Sequence, residues 1–125
     1  MIEFTVYGTP VPQGSMRVMN GHVIHNKGSE LAAWRSAIAL SAKKVGARPE
    51  KNPVAIDLVF VQLKPKTVKR NEPSVAPDLD KLIRGVLDAL TAIAYVDDGQ
   101  VTEIYARKVY GETTGLRVQL KYKSM

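Results

Sequence analysis

The sequence predicts an α+β fold: one small domain in which a mostly antiparallel or mixed β-sheet packs against two α-helices. Three observations predict it. The 125 residues are 45% hydrophobic, enough for one core and no more. Both ends of the chain carry period-two alternation, and between them lie two helical stretches, the second with the i, i+3, i+4, i+7 spacing of an amphipathic helix. No internal repeat or low-complexity tract divides the chain, so residues 1–125 are read as a single domain.

At the start, Ile2, Phe4 and Val6 alternate with Glu3, Thr5 and Tyr7, the pattern of a half-buried strand. Pro10 and Pro12 end it. Arg17 to Met19 and His22 to Ile24 flank Asn20-Gly21, a pair that tolerates the positive φ of a tight turn and predicts a short hairpin. Ser29 is the candidate cap of a first helix through Leu31, Trp34, Arg35, Ile38 and Val45, with Gly46 at its C-terminal cap. Val54 to Leu63 is β-branched and apolar on both faces, as in a central strand covered on each side. Asp57 interrupts it and is read as an edge or rim position. Lys64 to Pro77 lacks a period and reads as a loop.

The second helix is the best defined element, because Leu79, Leu82, Ile83, Val86, Leu87, Leu90 and Ile93 form one apolar stripe. Two strands follow, Val101 to Tyr110 and Leu116 to Tyr122, with Gly111 to Gly115 read as a hairpin turn between them. The last strand sets Leu116, Val118, Leu120 and Tyr122 against Arg117, Gln119, Lys121 and Lys123, giving one apolar and one basic face.

Composition narrows the function classes. The chain has no cysteine, which removes disulfides, thiolate zinc sites and cysteine nucleophiles and suits a reducing cytoplasm. The opening MIEFTVYG alternates apolar and polar residues and does not read as a signal peptide, and no apolar run reaches membrane-span length. The formal charge of +6, with a pI near 9.7, is the signature of a protein that meets a phosphate backbone. His22 and His25 have no acidic or cysteine companion at ligand spacing, which argues against a histidine metal site.

The chemistry-bearing residues are concentrated in PDLDKLIRGVLDAL, Pro77 to Leu90, and YVDDGQV, Tyr95 to Val101. Asp78 and Asp80 stand at the start of the second helix and outside its apolar stripe. They serve either as caps that favour the positive end of the helix dipole or as ligands. Asp97 and Asp98 lie one helix length further on, in a turn that Asp and Gly also favour for conformational reasons. The sequence does not place them beside the first pair. Converging carboxylates repel one another unless a cation lies among them, and Mg²⁺, which takes hard oxygen ligands, is the natural candidate. Arg84, four residues after Asp80, forms either an i, i+4 ion pair with it or a clamp for a scissile phosphate. Asp88, two turns beyond Asp80 near the same face, is read as a carboxylate that is either structural or supports the ligand residues from behind.

These runs resemble the RusA family of Holliday junction resolvases of phages and prophages. The likeness rests on Pro77-Asp-Leu-Asp-Lys-Leu-Ile-Arg, Val86-Leu-Asp-Ala-Leu and Tyr95-Val-Asp-Asp-Gly-Gln-Val. It is close over about 25 residues, and elsewhere in size, basic character and order of elements. It implies a homodimeric endodeoxyribonuclease that depends on Mg²⁺, with Mn²⁺ as a substitute, and acts on four-way DNA junctions in recombination and repair. It further implies that Asp78, Asp80 and Asp98 are the metal-binding catalytic carboxylates, that Asp97 assists, and that Arg84 is the basic catalytic residue. Two positions depart from the family's usual pattern: Lys81 replaces Asn, and Arg84 replaces Lys. Both keep or add positive charge, but an arginine does not exchange protons as a lysine can.

Lys64, Lys66, Lys69 and Arg70 in the long loop, together with Lys81 and Arg17, are the candidate DNA contacts. Arg107, Lys108, Arg117, Lys121 and Lys123 form a second candidate basic surface. Two other functions compete: a flap or branched-DNA nuclease with the same metal chemistry, and a basic DNA-binding protein whose carboxylates only cap and turn the chain. A nucleotide-sugar transferase reading of Asp-Leu-Asp lacks a Gly-rich nucleotide loop.

Overall fold

The computed structural model describes residues 1–14 and 28–125 with their side chains, and residues 16–19 and 22–25 as strand backbone. The elements run β1 (Ile2–Tyr7), β2 (Met16–Met19), β3 (His22–His25), α1 (Gly28–Lys44), β4 (Val54–Gln62), α2 (Leu79–Leu90), β5 (Val101–Tyr110) and β6 (Gly115–Tyr122), with a 3-10 turn at Asp98–Gln100. Four strands form one mixed sheet in the order β1-β6-β4-β5, and β2 pairs with β3. The expected α+β architecture is the observed one.

Apolar period decides which face is covered. Ile56, Leu58 and Phe60 of β4 and Leu116, Val118 and Leu120 of β6 are buried against Trp34, Ile38 and Ala42 of α1 and Leu82, Val86 and Leu90 of α2. Burying one such side chain contributes about 2 kcal/mol, so this layer dominates the core. Both helices lie on the same side of the sheet. The other face, which bears Glu3, Thr5, Arg117, Gln119 and Lys121, has no helix on it among the described residues.

Several expectations need correction. β4 is central, but it is covered on one side only. Asp57 is therefore no edge residue: it sits mid-strand between β5 and β6, half-buried on the open face, paired with Tyr105 and Gln119. Residues 111–114 do not close a hairpin, since β4 lies between β5 and β6. α1 already begins at Gly28, which puts Ser29 inside its first turn, and Val45 lies past its end and is exposed. Gly46 does adopt a left-handed φ of 89°, as a helix-ending glycine should. The β2–β3 pairing matches the expected hairpin, while its Asn20-Gly21 turn lies outside the described residues.

β4 and β5 run parallel with α2 as their crossover, the connection that parallel neighbours require. α2 consequently starts at the C-terminal end of β4 and finishes near its N-terminal end.

Candidate active site

Asp78 is the N-cap residue of α2, with extended backbone (φ −69°, ψ 138°), yet its side chain makes no capping hydrogen bond. Its Oδ2 lies 3.6 Å from Lys81 Nζ, and it lines a groove of about 360 Å³ with Pro10, Pro12, Gln62, Pro77 and Lys81. Asp80, in the first turn, is exposed. No ion pair joins it to Arg84 among the described residues. Instead Arg84 leans over the backbone of Gly14, where an added Cβ would come within 2.7 Å of its Nη1.

Two tethers hold this end of α2. Lys108 Nζ, reaching from β5, donates to the carbonyls of Val75 at 2.7 Å and Pro77 at 2.8 Å, which anchors the chain immediately before Asp78. On the opposite flank, the segment after β1 crosses the helix. Gln13 N donates to the Lys81 carbonyl at 3.0 Å, and the Gln13 side-chain amide donates to the Asp88 carboxylate. Asp88 thus ties the segment after β1 to α2. Gln13 was not legible as a site neighbour, because a Pro- and Gly-rich segment announces a change of direction and not what it crosses.

The second acidic pair has a different setting. Asp97 Oδ2 accepts the Gly99 N–H at 2.9 Å, and Gln100 Oε1 accepts the Val96 and Asp97 N–H groups, so the pair forms a capping box. Gln100 Nε2 pins the turn to the carbonyls of Glu50 and Asn52. Asp98 is left exposed beside this frame. Next to it, Tyr95 is fully buried and donates to the Leu87 carbonyl at 2.7 Å. Burial first, then the negative charge of Asp98, pushes its phenol far above the ordinary range.

Asp78 and Asp80 therefore stand at one end of α2 and Asp98 beside the other. Twelve helical residues separate them by about 18 Å. Among the described residues, no group of three or more His, Asp or Glu side chains is close enough to hold a metal ion. One chain thus carries its two acidic pairs at opposite ends of one helix.

The long loop before Asp78 keeps Lys64, Lys66, Lys69 and Arg70 exposed. Arg70 Nε donates to Tyr110 Oη at 2.9 Å, and Lys64 sits 5.9 Å from the same ring. Both bind the loop to the end of β5, on the side where Asp78 lies. The side chain of Arg17 lies outside the described residues.

The family description Endodeoxyribonuclease RusA matches residues 8–121. The chain belongs to this endodeoxyribonuclease family. The RusA match spans every element that carries the acidic residues, from the Gln13 crossing to β6. The chain is also similar to the uncharacterized protein YqaN of Bacillus subtilis strain 168, at 32% identity over 137 residues, covering 96% of this chain and 95% of that protein. Among the described residues, no helix is long and apolar enough to cross a membrane.

Proposed function

We propose that this chain is a Mg²⁺-dependent endodeoxyribonuclease that acts as a homodimer on four-way DNA junctions, placing paired symmetric nicks. The observation that carries the reading is the Asp78 carboxylate, which occupies the N-cap position and does not cap. A structural aspartate there would accept a helix N–H. With Asp80 two residues further on and exposed, two hard oxygen donors face solvent at a positive helix end.

Asp78 and Asp80 fit Mg²⁺, which is commonly held by one or two carboxylates and substrate phosphate. Their third partner is Asp98 of a second copy, since Asp98 of the same chain stands at the far end of α2. Bound there, Mg²⁺ supplies Lewis-acid stabilisation of charge on the phosphate. Arg84 offsets the negative charge of the scissile phosphate with its positive charge. Lys64, Lys66, Lys69, Arg70 and Lys81 neutralise flanking phosphates without reading sequence. Two such sites related by a two-fold axis match the symmetry of a four-way junction and of paired nicks.

The test is cleavage of a labelled synthetic junction beside linear duplex and flap DNA, with Mg²⁺ or EDTA, by wild type, Asp80→Asn, Asp98→Asn and a mixture of the two variants. Wild type with Mg²⁺ should nick the junction in pairs, and each variant alone should not. If the site is shared between copies, half of the randomly mixed dimers contain one intact site, restoring about a quarter of the sites. No recovery would overturn the shared site. Preferential flap cutting would replace the junction with a flap as substrate, and binding without any cutting would overturn the nuclease reading.

A further inference from the structure

β5 is an outer strand of the sheet, with β4 on one side and no described strand on the other. It is ten residues long, and Thr102, Glu103, Ile104 and Tyr105 are all exposed, with Ile104 at 44% and Tyr105 at 63%. Long open edges with apolar side chains are normally blunted by charge, proline or a covering segment, because their free N–H and C=O groups pair with other strands. Here the strand exposes the charges of Glu103 and Arg107, Glu103 standing 3.0 Å from Lys123 Nζ of the same chain, and its described irregularity is a register shift at the start, opposite Val54 and Ala55.

From its contents we infer that this edge is the seam of a symmetric dimer, in which β5 pairs antiparallel with β5 of a second copy and Tyr105 lies on the two-fold axis. This rests on the proposed homodimer and adds where the two copies meet. A two-fold axis perpendicular to the sheet keeps each side chain on its own face, so residues an equal number of steps before and after Tyr105 stand opposite one another. Glu103 then faces Arg107 of the second copy, twice, and Ile104 faces Ala106, twice. Glu103 and Arg107 share the open face with Tyr105, because they pair with Ala55, Val59 and Asp57 of β4. Arg107 already lies over the Tyr105 ring at 5.5 Å. The strand is thus self-complementary in charge about its own midpoint.

The same pairing joins the two halves of the site. With Tyr105 on the axis, Val101 stands opposite Val109 of the second copy, so Asp98, three residues earlier, reaches the level where that copy's β5 ends. In each chain that is where Lys108 holds the Pro77 carbonyl, one residue before Asp78. An antiparallel β5 seam carries the Asp98 end of one chain to the Asp78 end of the other, whereas a parallel pairing leaves them apart. The helices of both copies stay on one side of the joined sheet and the open basic faces stay together on the other.

The experiment is a charge exchange across the seam, read by sedimentation equilibrium and checked for folding by circular dichroism. Glu103→Arg and Arg107→Glu should each weaken the dimer about tenfold or more, because like charges then oppose each other twice. The double variant should recover dimerisation. The chain has no cysteine, so Tyr105→Cys offers a unique thiol that a short bis-maleimide should link into a dimer, whereas Tyr7→Cys on the opposite edge should not. Dimers unaffected by either single exchange, a double variant that stays dissociated, or failure of Tyr105→Cys to link would each overturn the seam. The mixing of Asp80→Asn with Asp98→Asn reports separately. Its recovery beside undisturbed charge variants would put the seam elsewhere and keep the shared site, and its failure beside a rescued double variant would keep the seam and remove the shared site.

Discussion

Lys108 Nζ and the Pro77 carbonyl oxygen are 2.8 Å apart, so a lysine on the outer strand of the sheet fixes the backbone from which Asp78 projects. The same ammonium holds Val75 at 2.7 Å. Lys108→Met keeps the stem and removes both bonds. Stability should fall by about 1 kcal/mol, and junction cleavage by roughly tenfold through misplacement of the Asp78 carboxylate. Denaturant melts and single-turnover cleavage check the two effects. Unchanged cleavage would show that this tether does not position the site.

Gly14 has a φ of 93° and lies under the Arg84 guanidinium. An alanine there meets both a strained backbone and the Arg84 Nη1, so Gly14→Ala should cost about 1 kcal/mol and displace Arg84. Its cleavage defect should resemble that of Arg84→Gln, roughly a hundredfold, while Arg84→Lys retains most activity because the positive charge remains. Equal loss in Arg84→Lys and Arg84→Gln would assign the role to guanidinium shape instead of charge.

Asp97 and Asp98 are adjacent and should separate cleanly. Asp97 caps the turn at Gly99, so Asp97→Ala should lower stability by about 1 kcal/mol and reduce cleavage only in proportion to unfolding. Asp98→Asn should leave the melting temperature unchanged and abolish Mg²⁺-dependent cleavage. Thermal melts beside cleavage assays distinguish them.

Tyr95 governs the alkaline limb of stability. Burial, and then Asp98, raise the folded phenol above its usual value of 10.0. The protonated form is favoured in the fold, so this contribution is complete below pH 10 and is lost as pH rises further. Tyr122 is raised by burial in the same direction. Tyr95→Phe removes the bond to the Leu87 carbonyl, costs about 1 kcal/mol near neutrality, and should flatten the decline of stability above pH 10. An unchanged alkaline slope would deny Tyr95 that role.

The sequence by itself determined the elements and the identity of the acidic groups. The stripe through Leu82, Val86 and Leu90 and the alternation of Leu116, Val118 and Leu120 are local periodicities, and one buried face is enough to impose each. The four aspartates were legible because carboxylates outside an apolar stripe have no core role. Tertiary structure decided what local pattern does not encode. β4 is inserted between β5 and β6, which removed the expected hairpin and moved Asp57 from a rim to mid-sheet. The β4-α2-β5 crossover sends α2 back along the sheet and places Asp98 a helix length from Asp78 and Asp80. Strand order and crossover direction arise from contacts between residues far apart in the chain, so spacing along the sequence showed two acidic pairs and only the packed sheet showed that one chain holds them at opposite ends.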